Sequence, residues 1–445
     1  MVILGNGIAG ITAARHVRKR SDHEITVVSS ESDHFFSRTA LMYIYMGHMT
    51  YERTKPYEDW FWEKNRIRLV RAWADAIEVD RKRLRLAGGR HLPYDALVVA
   101  TGSKSNKFGW PGQDLHGVQG LYSLQDLEQM EASTRGVRRA VVVGGGLIGV
   151  EMAEMLHSRG IEVTFLVREK SWMDFAFPAE ESAMVNRHLA SRGIDLRLGT
   201  ELDRILPDER GRARAIVTKT GEEIACQFVG LTVGVSPNVD LLRASGLECD
   251  RGVLADGFLR TSAGDVYAAG DCVQLRAPKP GRRPIEPLWY TGRTMGETVA
   301  KTLCGEPTEY DPGIWFNSAK FFDLEYQVYG DVPVSPRSGE ATLYWEHPSG
   351  EKSLRLCYRE SDGAVLGFNL MGIRYRHEVC DEWIRTGREI RWVLENLGVA
   401  NFDPEFYAQH EKALLQIYNR RYPDAPVELR RKRGLRNLFS LRKAS

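Results

Sequence analysis

Two copies of one pattern, "VILGNGIAGITAARHV" from Val2 and "VVVGGGLIGVEMAEML" from Val141, constrain this chain more than anything else in it. Each copy joins an apolar, β-branched run to glycines spaced GxGxxG, and then to apolar residues at helical spacing. That order reads as strand, tight turn, helix. The first glycine permits the turn, the second lets backbone N–H groups approach a pyrophosphate, and the third packs helix against strand, with the helix N-terminus favouring the negative charge. Gly5, Gly7 and Gly10 fill these roles once, and Gly144, Gly146 and Gly149 fill them again. The simplest reading is a chain that binds two dinucleotides, and such a chain can pass electrons from one to the other.

The bulk composition agrees with a globular protein. The 445 residues are 43% hydrophobic and 27% charged, enough for two or three domains with their own cores. A net charge of +2 points to no nucleic-acid partner. Met1 stands close before Gly5, which leaves no space for a signal sequence and gives a cytoplasmic expectation. No window approaches the roughly 18 continuous apolar residues of a membrane span. The six cysteines all lie in the second half of the chain, without CxxC or metal-ligand spacing, so no metal site is expected.

Alternating strands such as "HEITVVSSES" and "YDALVVATGS" complete a first α/β domain, expected over 1–108 and 235–305. "SKSNKFGWPGQDLHGVQG" reads as a linker. The second α/β domain, over 109–234, is inserted there and includes a hairpin in "RARAIVTKTGEEIACQFVGLTVG", after which "TSAGDVYAAGDCV" returns to the first domain. Short strands separated by turns from about Tyr310, then helices near Arg376 to Leu397 and Pro404 to Arg420, predict an α+β domain over 306–425, with a basic tail over 426–445.

Four motifs together resemble the two-dinucleotide flavoprotein reductases, which include ferredoxin and rubredoxin reductases, apoptosis-inducing factor and the disulfide reductases. They are the paired fingerprints, "ATGS" from Ala100, "VGVSPN" from Val233 and "DVYAAGDC" from Asp265. The resemblance implies an α/β fold with two Rossmann-like domains, for FAD and NAD(P), followed by the α+β domain. It also implies that Gly5, Gly7, Gly10, Ala100, Thr101, Gly102 and Asp271 hold FAD, with Ser30 or Glu31 at the adenosine ribose. Gly144, Gly146, Gly149 and Gly234 would take the nicotinamide nucleotide. Glu151 resembles a glutamate that some relatives place near the flavin and nicotinamide; a helix-start acid favoured by the dipole is the alternative. Where NADH-using relatives carry an acid, this chain has Val167 followed by Arg168, which favours NADPH.

Disulfide reductases carry a CxxxxC on the first domain, and peroxidases of the family a single cysteine. Here the segment is "FFSRTALMYIYMG", with Arg38 in the cysteine's place. Without a thiol there, disulfide or peroxide reduction by the family's usual route is not expected. The segment resembles the Y-x-R-P-x-L-S stretch of ferredoxin and rubredoxin reductases and of the flavin domain of nitrite reductases, with Thr39 in place of the proline and Tyr43 where many have lysine. Arg38 either neutralises charge on the reduced flavin or pairs with a carboxylate. Glu286 and Trp289 resemble an E-x-W pattern facing the flavin, with packing as the alternative for Trp289. The implied function is an FAD-dependent NAD(P)H oxidoreductase whose acceptor is a small iron–sulfur protein or rubredoxin. A peripheral quinone reductase and an apoptosis-inducing-factor-like binding protein are the alternatives.

From Leu429 the chain reads "LRRKRGLRNLFSLRKAS", with seven basic residues and no acid. This pattern permits a basic amphipathic helix that touches a membrane or an acidic redox partner, or a solvated terminus. A homodimer stays open.

Overall fold

The computed structural model describes residues 1–403, 405–406 and 408–430. Strand Val2–Leu4 is the centre of a five-stranded sheet in the order Val266–Ala268, Leu97–Val99, Val2–Leu4, Ile25–Ser29, Ile67–Arg71. Every neighbouring pair is parallel. The second fingerprint repeats the design: Arg139–Val143 is central in the order Asp195–Leu198, Glu162–Val167, Arg139–Val143, Phe228–Leu231, Val118–Gln119, again all parallel. In both sheets the strand order reverses beside the fingerprint strand. Such a reversal opens a crevice beyond the carboxyl ends of the strands, where ligands of open α/β sheets bind.

The glycines explain why these turns form. Gly5 and Gly144 both adopt φ +115°, and a Cβ would lie 2.1 Å from the Ala100 carbonyl oxygen in one case and 2.5 Å from that of Thr232 in the other. A Cβ on Gly10 or Gly149 would meet the carbonyl oxygen of Gly5 or Gly144 at 2.1 Å. The space beside Gly7 and Gly146 is open, with nothing within 4 Å. The helices that follow, Ile8–Arg18 and Leu147–Ser158, start without a side-chain cap and without an acid in the first turn. Helix Leu124–Ser133 shows what the chain does elsewhere: Ser123 and Asp126 close a full capping box.

The stretch read as a linker is part of the framework. Ser103–Ser105 pairs antiparallel with Val235–Pro237, so the outgoing and returning connections between the two sheets lie side by side. Val118–Gln119 becomes an edge strand of the second sheet. The expected hairpin forms from Ala213–Thr218 and Glu223–Ala225, with Leu202–Pro207 added as a third strand. Helix Trp289–Leu303 packs on Ile8–Arg18, and Gly296 permits it, since a Cβ there would lie 2.5 Å from the Ala9 carbonyl oxygen.

Met1–Trp172 with Leu189–Gly313 form one compact unit, and Met173–His188 group with the described residues from Ile314 onward in a second. These limits differ from the three ranges read from the sequence. Within the second unit an antiparallel sheet runs Phe316–Phe321, Leu324–Gly330, Val365–Met371, Ser353–Arg359, Glu340–Glu346. Leu354, Leu356, Phe368 and Leu370 belong to the core that includes Trp383, Val393 and Leu414 of three helices. The intervening Arg355 points the opposite way, as strand alternation requires. There its Nε donates to Glu181 Oε1 at 2.6 Å, and that buried pair draws residues 173–188 into this unit.

The helix expected over Arg376 to Leu397 is two, His377–Arg385 and Ile390–Asn396, broken at Gly387 with φ +60°. Among the described residues the last helix is Glu411–Arg421, starting later than expected. Pro404, Tyr407 and the tail from 431 onward, with the amphipathic pattern, lie outside the described residues. Among the described residues no helix is long and apolar enough to cross a membrane.

Substituting Gly10 or Gly149 with alanine should destabilise the fold by about 1–3 kcal/mol, because backbone cannot retreat from the new methyl. Gly7→Ala should melt with the parent and instead weaken FAD binding. Thermal denaturation beside FAD titration separates the two outcomes.

Candidate functional site

Beyond the carboxyl ends of the first sheet lies a cavity of about 640 Å³, well inside the range of about 300–1,000 Å³ typical of small-molecule sites. The fingerprint turn forms its floor with Gly5 and Gly7, Ser30 and Glu31 follow the second strand, and Ala100, Thr101 and Gly102 follow Leu97–Val99. Asp271 enters from the turn after Val266–Ala268. Ile148 and Glu151 reach the same cavity from the second fingerprint's helix, so the two halves meet at one site.

The charges in the cavity are individually managed. Arg38 donates from Nη1 to Glu31 Oε1 at 2.7 Å and from Nη2 to Oε2 at 2.6 Å. Nη1 also reaches the Tyr122 carbonyl oxygen at 2.6 Å, while the Leu124 N–H donates to Glu31 at 3.0 Å. Asp271 Oδ2 accepts from the Tyr122 hydroxyl at 3.1 Å; burial pushes its carboxyl above the usual range against the pull of Tyr122 and Arg38. Glu151 is pushed up to about 8, chiefly by burial and then by the neighbouring Glu154, so it carries a proton at neutral pH.

A dinucleotide fits these residues. The open space at Gly7 faces the uncapped first turn of Ile8–Arg18, where backbone N–H groups lack helical partners and suit a pyrophosphate. Carboxylates at Glu31 and Asp271 can accept from ribose or ribityl hydroxyls. The family profile described as pyridine nucleotide-disulphide oxidoreductase matches residues 1–296.

The chain belongs to the pyridine nucleotide-disulphide oxidoreductase family. FAD and NAD(P)H are the cofactors of this reductase family. The chain is 27% identical over 371 residues to the nitrite reductase [NAD(P)H] of Bacillus subtilis (strain 168), covering 82% of this chain and 45% of that protein. It thus spans less than half of that relative's length. It is 27% identical over 334 residues to the ferredoxin–NAD(+) reductase subunit of the benzene 1,2-dioxygenase system of Pseudomonas putida, covering 75% of this chain and 80% of the relative. Among solved structures, the ferredoxin reductase for the CYP199A2 system of Rhodopseudomonas palustris has a TM-score of 0.75 at 24% identity, over 83% of this chain and 90% of that one. That likeness is one of fold.

The residues expected at the site divide between this cavity and other places in the fold. Arg38 lines the cavity, with its guanidinium paired to the Glu31 carboxylate. The Glu31 side chain is largely buried, at 18% exposed. Glu286 does not line the cavity; Arg282 binds it at Oε1 and Oε2, at 2.8 and 2.5 Å, in a pair that is almost wholly buried. Its neighbour Trp289 does line the cavity, at the start of its helix. Gly144, Gly146 and Gly149 form the second crevice, and Gly234, at φ +88°, lies beyond Thr232. Arg168, 73% exposed, follows the buried Val167 and pairs with Glu169 at 2.8 Å. Neither Gly234 nor Arg168 lines the first cavity.

Sequence reading missed Tyr122, Ser103, Asn6, Asn238 and Trp73, all on the cavity wall. Asn6 sits inside the fingerprint and ties it to Ser32 through its carbonyl and hydroxyl oxygens, each at 3.1 Å. Asn238 ends "VGVSPN", and its carbonyl oxygen accepts from the Thr101 hydroxyl at 2.6 Å. Trp73, 64% exposed, carries no sequence signal.

Arg38→Ala should lower stability by about 1–3 kcal/mol, between the costs of breaking an exposed and a buried pair, since Glu31 loses its partner. Arg38→Lys should not restore it, because a point-like ammonium cannot make both bonds. Urea denaturation of the three proteins gives the comparison.

Proposed function

We propose that this protein is an FAD-dependent NAD(P)H oxidoreductase that passes electrons from NAD(P)H through the flavin to an external acceptor, a small iron–sulfur protein or rubredoxin. One observation carries the reading: a single cavity is lined by residues of both fingerprint units and by no cysteine. Cys272, next to Asp271, is fully buried with Sγ 3.6 Å from the Val99 carbonyl oxygen, and burial pushes its thiol up to about 11. A thiol so held gives no thiolate to relay electrons. The likeness to a ferredoxin–NAD(+) reductase subunit supports an acceptor of that class. Residues 1–108 and 235–305 would serve FAD, and 109–234 the nicotinamide nucleotide.

Bound FAD would supply hydride acceptance from the nicotinamide and release of the electrons to the acceptor. The chain's share is binding and orientation. The first fingerprint and Asp271 hold the dinucleotide, and Trp289 walls the cavity against water. Glu151, holding its proton, keeps negative charge away from a site where negative charge develops. NADPH is the favoured donor: Val167 offers no carboxylate to a ribose 2′-hydroxyl, and Arg168 is exposed for a 2′-phosphate. The reaction belongs in the cytoplasm, where the six free thiols suit a reducing compartment.

Anaerobic stopped-flow mixing of the yellow protein with NADPH or NADH tests the proposal. Rapid bleaching is expected with NADPH, slower with NADH, and Arg168→Ala should raise the KM for NADPH about tenfold while leaving NADH unchanged. Absence of bleaching with both donors overturns the reading. The bleaching rate should fall as pH rises through about 8, where Glu151 loses its proton, and Glu151→Gln should abolish that fall.

A further inference from the structure

Tyr122 lies between the two fingerprints in sequence, and it reaches the cavity by a route that neither glycine motif announces. Its hydroxyl accepts from the Ser103 N–H at 2.9 Å and donates to Asp271 Oδ2 at 3.1 Å. The Ser103 hydroxyl reaches the same carboxylate oxygen at 3.4 Å. Gly102 makes room for this arrangement: it adopts φ +69°, and a Cβ there would lie 2.8 Å from the Tyr122 hydroxyl oxygen. The Arg38 guanidinium sits over the tyrosine ring, 4.5 Å from its centroid, and also binds the Tyr122 carbonyl oxygen. One residue therefore touches both a carboxylate and the guanidinium of the cavity.

We propose that Tyr122 is a positioning residue of the flavin dinucleotide site, acting on Asp271 through its hydroxyl and on Arg38 through its ring and carbonyl. The inference rests on the FAD reading above. An aspartate carboxyl turns easily about its last torsion, and a hydrogen bond to one oxygen stops that rotation. With Oδ2 held, Oδ1 has no hydrogen-bond partner among the described residues and is free to accept from a ligand hydroxyl. The ring offers the guanidinium a cation–π seat that keeps it aligned with Glu31.

The same contacts set how Asp271 titrates. The groups that face it are Tyr122, Arg38 and the Ser103 hydroxyl, with the neutral Cys272 next in the chain and Glu31 beyond Arg38. Burial raises the Asp271 carboxyl, and the tyrosine hydrogen bond lowers it. A protonated carboxyl accepts fewer hydrogen bonds, so FAD retention should fall as pH drops through this titration. Removing the tyrosine hydroxyl should move that fall to higher pH.

The test measures FAD released on dilution of the holoprotein, by flavin fluorescence, from about pH 5 to 9, for the parent, Tyr122→Phe, Asp271→Asn and the double variant. Y122F should hold FAD roughly tenfold more weakly, with its loss displaced to higher pH. D271N should lose the pH-dependent fall, and adding Y122F to it should change nothing further. The proposal is overturned if Y122F matches the parent at every pH, or if it costs as much in the D271N background as alone. A Y122F chain that fails to fold with FAD present, judged by far-ultraviolet circular dichroism, makes Tyr122 a scaffold residue and overturns it too. A parent that carries no FAD defeats the FAD reading itself; a parent that holds FAD beside an indistinguishable Y122F defeats this inference alone.

Discussion

Two helix N-termini are left electrically open, and the rest of the site is arranged around them. Ile8–Arg18 and Leu147–Ser158 begin at Gly7 and Gly146, where no side chain accepts from the first-turn N–H groups. Leaving donors unpaired is unfavourable in a free helix, and Leu124–Ser133 avoids it with its capping box. The two open ends survive because a close glycine contact locks each helix onto its strand. Gly10 and Gly149 put backbone where a methyl would meet a carbonyl oxygen at 2.1 Å. The resulting positive ends face crevices that parallel sheets leave at their switch points, so anion binding follows from the packing itself.

Such an end attracts negative charge, yet the cavity beside it is lined by four carboxylates, Glu31, Glu151, Asp240 and Asp271, and by one guanidinium. Each carboxylate has its own solution. Glu31 is neutralised by the bidentate Arg38, and Asp240 by Lys104. Asp271 takes a phenol hydrogen bond while facing Arg38, and Glu151 remains protonated. An incoming pyrophosphate therefore meets much less repulsion than the number of acids suggests, and the acceptor oxygens stay available for hydroxyl groups.

The fold was largely legible because the information was local. A β-branched run, three glycines and an amphipathic stretch specify strand, turn and helix with little outside help, and doing so twice specifies two parallel sheets. The short antiparallel strands of the second unit were legible for the same reason. Gly387, though, ends a helix that apolar periodicity alone would continue. Residues 173–188 read as part of the second fingerprint's domain; the buried Arg355–Glu181 pair, 174 positions apart in sequence, draws them elsewhere. No local pattern encodes a contact of that range.

The site divides along the same line. By itself the sequence determined the backbone cradles, since Gly5, Gly7 and Gly10 and their counterparts are set by sterics within a few residues, and it determined that no cysteine occupies the place of Arg38. Only the tertiary structure decided what the side chains do. Arg38 meets Glu31 across seven residues, Tyr122 meets Asp271 across 149, and Glu286 turns away to Arg282. Glu151 keeps its proton because burial removes the water that would stabilise its charge, and burial is a property of the packed chain as a whole.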